Sequence, residues 1–137
     1  MLLTKECDYS VRMLRALSDG QKKTVKEICD SQHIPGQYAY KIIKKLEHGG
    51  FVQSIRGRDG GYLLSKPLNS FTLYDVIIAV DEKLFIFECL REDKFCSFKD
   101  NKHPCEVHLE FDRLQQRLIA DIKLKTLDEI LNSSQKS

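Results

Sequence analysis

Long apolar runs are missing from this chain. Nothing in its 137 residues approaches the ~18 consecutive apolar positions needed to cross a bilayer, so no membrane partner is expected. The first residues, Met1-Leu2-Leu3-Thr4-Lys5-Glu6, carry no basic region followed by an apolar stretch. No secretory leader is expected there, and a cytoplasmic location is the default. Catalytic signatures are missing too. The chain has no Gly-rich phosphate loop, no nucleophile elbow and no paired acid/base motif in context. It also lacks the Cys-x-x-Cys that a thiol oxidoreductase would want. An enzyme with a small-molecule substrate is therefore not expected. Internal repeats and low-complexity tracts are absent, and with the length they exclude a collagen, a coiled-coil rod and a large multidomain enzyme.

What is present suits one compact domain, or a small domain with an appended dimerising arm. Hydrophobic residues make up 42% and charged residues 31%, enough apolar material for a core and too much for global disorder. The formal net charge of +2 conceals an asymmetry. Residues 1–66 hold 12 Lys/Arg against 7 Asp/Glu, a net +5. Residues 67–137 hold 10 against 13, a net −3. A basic first half beside an acidic second half points to a polyanion on one side only.

The periodicity predicts helices in the first half. Leu3, Cys7, Val11, Leu14 and Leu17 recur at three- and four-residue steps over 2–18, and Asp19-Gly20 is a stop. Thr24-Val25-Lys26-Glu27 reads as a capping box opening a short helix over 25–31. Ile34-Pro35-Gly36 breaks the chain before a third helix over 35–48, with Tyr38, Ile42 and Leu46 inward and Gly49-Gly50 at its end. Two short apolar runs, Phe51–Ile55 and Tyr62–Leu64, flank Arg56-Gly57-Arg58-Asp59-Gly60-Gly61 and predict a hairpin. Three helices followed by a basic hairpin is the order of a winged helix-turn-helix. The expected fold is mainly α with a small β-hairpin wing. The expected division is a winged helix-turn-helix DNA-binding domain over 1–66 and a second part, a loop with further helices, over 67–137.

A recognition helix must offer polar side chains to base edges while its back packs on a core. Gln37, Tyr40, Lys41 and Lys44 lie off the apolar face of the third helix and are candidate readers or phosphate contacts. Thr24 joins them at the start of the second helix. Arg56 and Arg58, set beside glycines, can approach a narrow minor groove closely. Double-stranded DNA is the expected partner.

The second half predicts a helix over 73–81, a loop over 88–104, and an amphipathic helix from 105 to 123. In the last, Val107, Phe111, Leu114, Leu118 and Ile122 form a stripe that needs a partner surface. Thr126-Leu127-Asp128-Glu129 predicts one more capped turn. Five cysteines form an odd set, which in a reducing compartment argues for metal or redox chemistry over a disulfide framework. Cys7 and Cys29 read as small core residues. Cys89-x6-Cys96-x8-Cys105-x2-His108 offers three thiolates and an imidazole, a set that can hold a tetrahedral zinc or an iron–sulfur cluster. His103 is a spare ligand candidate. His33 reads as a solvent-side turn residue and His48 as serving a helix C-terminus. Tyr38 and Tyr62 read as packing residues.

On these residues the chain resembles the IscR/NsrR family of bacterial winged-helix regulators. The matching positions are Leu3-Thr4-Lys5 with Asp8-Tyr9, Ile34-Pro35 with Tyr38 and Ile42, and Gly57-Arg58-Asp59-Gly60-Gly61-Tyr62-Leu63-Leu64. Phe71-Thr72-Leu73-Tyr74-Asp75-Val76 and the cysteine triad complete the match. The resemblance implies a homodimer mated through the long C-terminal helix, which represses or activates genes according to the state of an iron–sulfur cluster, 2Fe–2S or 4Fe–4S. It implies sensing of redox state, nitric oxide or iron–sulfur status. Cys89, Cys96 and Cys105 are the ligands it implies. The fourth is His108, Asp8 contributed by the other subunit, or His33, according to the branch of the family. The alternative is the same winged-helix dimer with structural zinc, or no metal, at the cysteines.

Overall fold

The computed structural model describes residues 4–81, 84–93, 96–98 and 105–133. Helices α1 (Lys5–Ala16), α2 (Val25–Gln32) and α3 (Gly36–His48) are followed by strands β1 (Val52–Ile55) and β2 (Gly61–Leu64). Helices α4 (Leu73–Asp81), α5 (Glu106–Ile122) and α6 (Leu127–Asn132) complete the order, with 3-10 turns at Leu68–Ser70 and Glu88–Leu90.

Each early helix starts where its cap dictates. The Thr4 hydroxyl accepts from the Cys7 amide at the head of α1. Thr24 and Glu27 close the expected capping box on α2, satisfying two amides that otherwise lack helical partners. The apolar faces then meet. Met13, Leu14 and Leu17 pack with Ile28, Ala39, Ile42, Ile43 and Leu46 in one fully buried cluster. Leu68, Phe71, Val76, Val80 and Leu127 belong to the same cluster, so the core continues past residue 66. Phe51 and Phe71 join the two sides, their ring centroids 4.5 Å apart.

The wing is fixed by close backbone approach. β1 and β2 pair antiparallel, Val52 opposite Leu64 and Ile55 opposite Gly61. Tyr62 also exchanges two backbone hydrogen bonds with Lys23, at 2.9 and 2.7 Å, which ties the hairpin to the α1–α2 connection. A Cβ on Gly61 would stand 2.7 Å from the Lys23 carbonyl oxygen, and glycine there is a steric necessity. Gly57, at φ +120, takes a turn conformation that L side chains rarely adopt.

α4 packs on α1 and α3, and α6 returns to the core through buried Leu127, whose amide donates to the Phe71 carbonyl at 2.8 Å. Of the 17 residues of α5, only Gln115 is buried. A second, smaller cluster of Cys7, Ile77 and Leu84, flanked by Ile119 and Ile122, attaches the end of α5 to α1 and α4.

Candidate nucleic-acid interface and cysteine segment

The outer face of α3 is an unbroken polar stripe. Gln37, Tyr40, Lys41, Lys44 and His48 are all exposed, while Ala39, Ile42, Ile43 and Leu46 are buried behind them. Tyr40 is 65% exposed, a large ring left in solvent beside basic side chains. The wing tip presents Arg56 and Arg58, both exposed and neither paired with a described residue. Thr24 is exposed as well; its oxygen accepts from the Glu27 amide, and its proton stays free to donate outward. All seven residues expected at this interface are exposed.

One member of the stripe is not free. Lys41 Nζ donates to Glu6 Oε1 at 3.0 Å, and Lys45 Nζ donates to Glu6 Oε2 at 2.9 Å. Lys45 Nζ also donates to the Val80 carbonyl at 2.9 Å. The two ammonium groups, Lys45 foremost, hold the Glu6 carboxyl below the usual carboxylate range. Nothing in the local pattern announces this clamp, since its partners stand 35 and 39 positions apart.

The end of α4 is tied to α1 beside it. Asp81 accepts from the Thr4 hydroxyl at 3.1 Å and from the Cys7 thiol at 2.9 Å. Burial, and then this carboxylate, push the Cys7 thiol up to about 11. Burial raises Cys29 as well, with Asp30 adding to it. Neither is a thiolate near neutral pH, in keeping with a packing role for both.

The other three cysteines are free, half-buried thiols. Cys89 lies in the 3-10 turn Glu88–Leu90, which rests against α5. Phe87 stacks on Phe111 of α5 with centroids 3.7 Å apart, and the Ile86 amide donates to buried Gln115 Oε1 at 2.9 Å. Cys105 is the N-cap of α5, and His108 stands in its first turn. His108 Nδ1 is buried and has no hydrogen-bond partner among the described residues. Cys96 belongs to the short stretch 96–98, next to Phe98, which is 79% exposed. His103 lies outside the described residues.

Asp8 and His33 stand elsewhere. Asp8 pairs with Arg12 at 2.9 Å on the exposed side of α1. His33 is the exposed, left-handed C-cap of α2, at φ 55. Among the described residues, no three His, Cys, Asp or Glu side chains lie together as a metal site. The donor types nonetheless fit a soft metal or an iron–sulfur cluster: three free thiols, and an imidazole nitrogen with no hydrogen-bond partner among the described residues.

Three packed helices, a hairpin bearing unpaired arginines and a polar stripe on the third helix define a winged helix-turn-helix DNA-binding protein. A profile of the Rrf2 family, described as iron-dependent transcriptional regulator, matches residues 3–133. An HTH-type transcriptional regulator of Haemophilus influenzae is 30% identical over 135 residues, covering 96% of this chain and 87% of its own length. The chain belongs to the Rrf2 family; it is a DNA-binding transcriptional regulator, not an enzyme. Among solved structures it is similar to CymR, described as the global cysteine regulator of B. subtilis, with a TM-score of 0.75 at 20% identity over 97% of this chain and 98% of that one. It is also similar to T. potens IscR, with a TM-score of 0.73 at 18% identity over 98% and 88% of the two chains. At such identities these likenesses establish the fold. No helix among the described residues is long and apolar enough to cross a membrane.

Proposed function

We propose that the chain is one half of a cytoplasmic homodimer that grips double-stranded DNA, and that an iron–sulfur cluster on Cys89, Cys96, Cys105 and His108 sets the strength of the grip. Gln37, Tyr40, Lys41 and Lys44 enter the major groove, Thr24 contacts a phosphate, and Arg56 and Arg58 reach the adjacent minor groove. The mate is a second copy, seated on the apolar residues that α5 leaves in solvent. Val107 is 57% exposed, Leu109 53% and Leu114 39%.

The observation that carries the cluster reading is the His108 imidazole. Its Nδ1 is buried and unpartnered one turn from Cys105, a costly arrangement unless something binds it. Asp8 and His33 carry no such mark: one is already ion-paired and the other is solvent-facing. When bound, a cluster supplies one-electron redox chemistry and a corner open to oxygen or nitric oxide. The residues of this chain hold and transmit. Phe87, Phe111 and Gln115 fasten the cysteine segment to α5, while Leu84 anchors it against Cys7 of α1. A switch between regulatory states, repression included, needs a change in DNA affinity of ~5–150-fold.

A second reading keeps the winged-helix dimer with structural zinc, or no metal, at the cysteines. The dispersed placement of the ligands in the single chain favours it. Freshly prepared anaerobic protein, with iron, sulfide and zinc counted per chain and an absorbance spectrum, separates the two. Visible bands with iron and sulfide support the cluster. Colourless protein with stoichiometric zinc, or with no metal, supports the second reading.

A further inference from the structure

We infer that Glu6 is a built-in phosphate mimic, which holds down the sequence-independent DNA affinity of α3 by occupying Lys41. The inference rests on the reading of α3 as the DNA-facing helix. Its observation is the clamp: one carboxylate, one oxygen on each of two lysines, at 3.0 and 2.9 Å. Two anionic oxygens presented to adjacent ammonium groups reproduce what a DNA phosphate offers.

The two lysines differ in what they can give up. Lys45 is half-buried and donates to both Glu6 and the Val80 carbonyl, so it is an anchor. Lys41 has a 65% exposed side chain and, among the described residues, Glu6 alone as its partner, and it lies on the same face as Gln37, Tyr40 and Lys44. A duplex laid on that face meets Lys44, which has no ion-pair partner among the described residues, and Lys41 with its charge answered. Sequence-independent binding is driven by counterion release, in proportion to the phosphates neutralised. A cation already paired within the protein adds little to it. The Glu6 side chain is half-buried at the head of α1 and keeps its second contact, to Lys45 at 2.9 Å, when Lys41 leaves. Glu6 thereby lowers affinity for arbitrary duplex, and a site that supplies base contacts is favoured by comparison.

The test uses the full-length dimer and a random-sequence duplex, titrated across salt, with circular dichroism to verify folding. Glu6→Gln should tighten binding at least threefold at low salt, and should steepen the slope of log affinity against log salt by about one per subunit. Glu6→Gln with Lys41→Ala should lose most of that gain. In the wild-type background, Lys44→Ala should flatten the slope by about one per subunit, and Lys41→Ala by less than half as much. This last pair decides the matter even if Glu6→Gln does not fold, because equal losses overturn the inference. A folded Glu6→Gln protein that binds no more tightly than wild type, while Lys44→Ala weakens binding, overturns it and leaves the α3 reading standing. Binding indifferent to Lys44, Lys41 and Glu6 alike sinks the α3 reading and this inference with it.

Discussion

α3 and α5 are built on the same amphipathic plan, yet one is finished within the chain and the other is not. α3 spends 13 residues and buries four of them, Ala39, Ile42, Ile43 and Leu46, against α1, α2 and α4. α5 spends 17 and buries only Gln115. Around α3 the neighbouring helices α1 and α2 are capped by Thr4 and Thr24, and the lysines are partnered or solvated. Around α5 three thiols are free, one imidazole nitrogen is sealed off unpaired, and Val107, Leu109 and Leu114 face solvent. Helical stability comes mostly from burying an apolar face. A helix that buries so little in one chain leaves its apolar face for a partner, which is the proposed second copy. The core around α3 closes within the chain, with Leu68, Phe71, Val76, Val80 and Leu127 contributing to it, whereas the apolar face of α5 stays largely uncovered.

The largest effect that sharpens this contrast pairs two substitutions. Ile42→Ala should cost about 2–5 kcal/mol of unfolding free energy, since it empties part of a fully buried cluster. Leu114→Glu should change the stability of the single chain by less than about 0.5 kcal/mol but abolish self-association. Chemical denaturation and sedimentation equilibrium read the two. A Leu114→Glu chain that still dimerises would break the comparison.

Gly61→Ala comes next, at about 1–3 kcal/mol, because a methyl placed 2.7 Å from the Lys23 carbonyl forces the wing off the α1–α2 connection. DNA affinity should fall with it, while the fluorescence of a reporter on α5 stays unchanged. Thr24→Ala should cost about 0.5–2 kcal/mol through loss of the α2 capping box. A DNA titration well below the melting temperature then reports separately on its phosphate contact.

Alkylation divides the two regions without any mutation. Cys7 is 2% exposed, and its thiol is pushed up to about 11 by burial and Asp81. At pH 8 roughly one in a thousand Cys7 side chains is thiolate even before access is considered. Cys89, Cys96 and Cys105 should therefore react first in the metal-free protein, and mass spectrometry after limited labelling checks the order. The smallest effect belongs to Glu6. Its carboxyl is depressed in the folded state, so the clamp contributes in full above the ordinary carboxylate range. That contribution is lost as pH falls through the depressed value. With Lys41 exposed it amounts to about 1 kcal/mol or less, and denaturation of Glu6→Gln beside wild type across acid pH should show the difference narrowing.

Much of this was legible in the sequence because the governing forces are local. The three- and four-residue spacing of Cys7, Val11 and Leu14 and of Tyr38, Ile42 and Leu46, the Thr24–Glu27 box and the glycine-flanked arginines each declare an element from neighbours alone. The Gly60-Gly61-Tyr62 run was legible as a turn, but its deeper reason was not, since it is an antiparallel bridge to Lys23 far back in the chain. Ala39 and Ile43 escaped the expected inward face of α3 because that helix packs on three other helices and on β1 rather than on one partner. Buried Gln115 broke the apolar stripe of α5 without warning, because its role is to accept from the Ile86 amide across a loop. The Glu6 clamp was invisible for the same reason. Charge pairing between distant positions leaves no periodic trace.

The central claim is that what occupies the cysteine segment governs the hold on DNA. Its most direct test is titration of one target promoter, at fixed salt and without oxygen, by the same preparation before and after iron and sulfide are loaded. The account predicts affinities that differ by at least ~5-fold, with the difference abolished by Cys89→Ala. Identical binding curves for loaded and empty protein would contradict it.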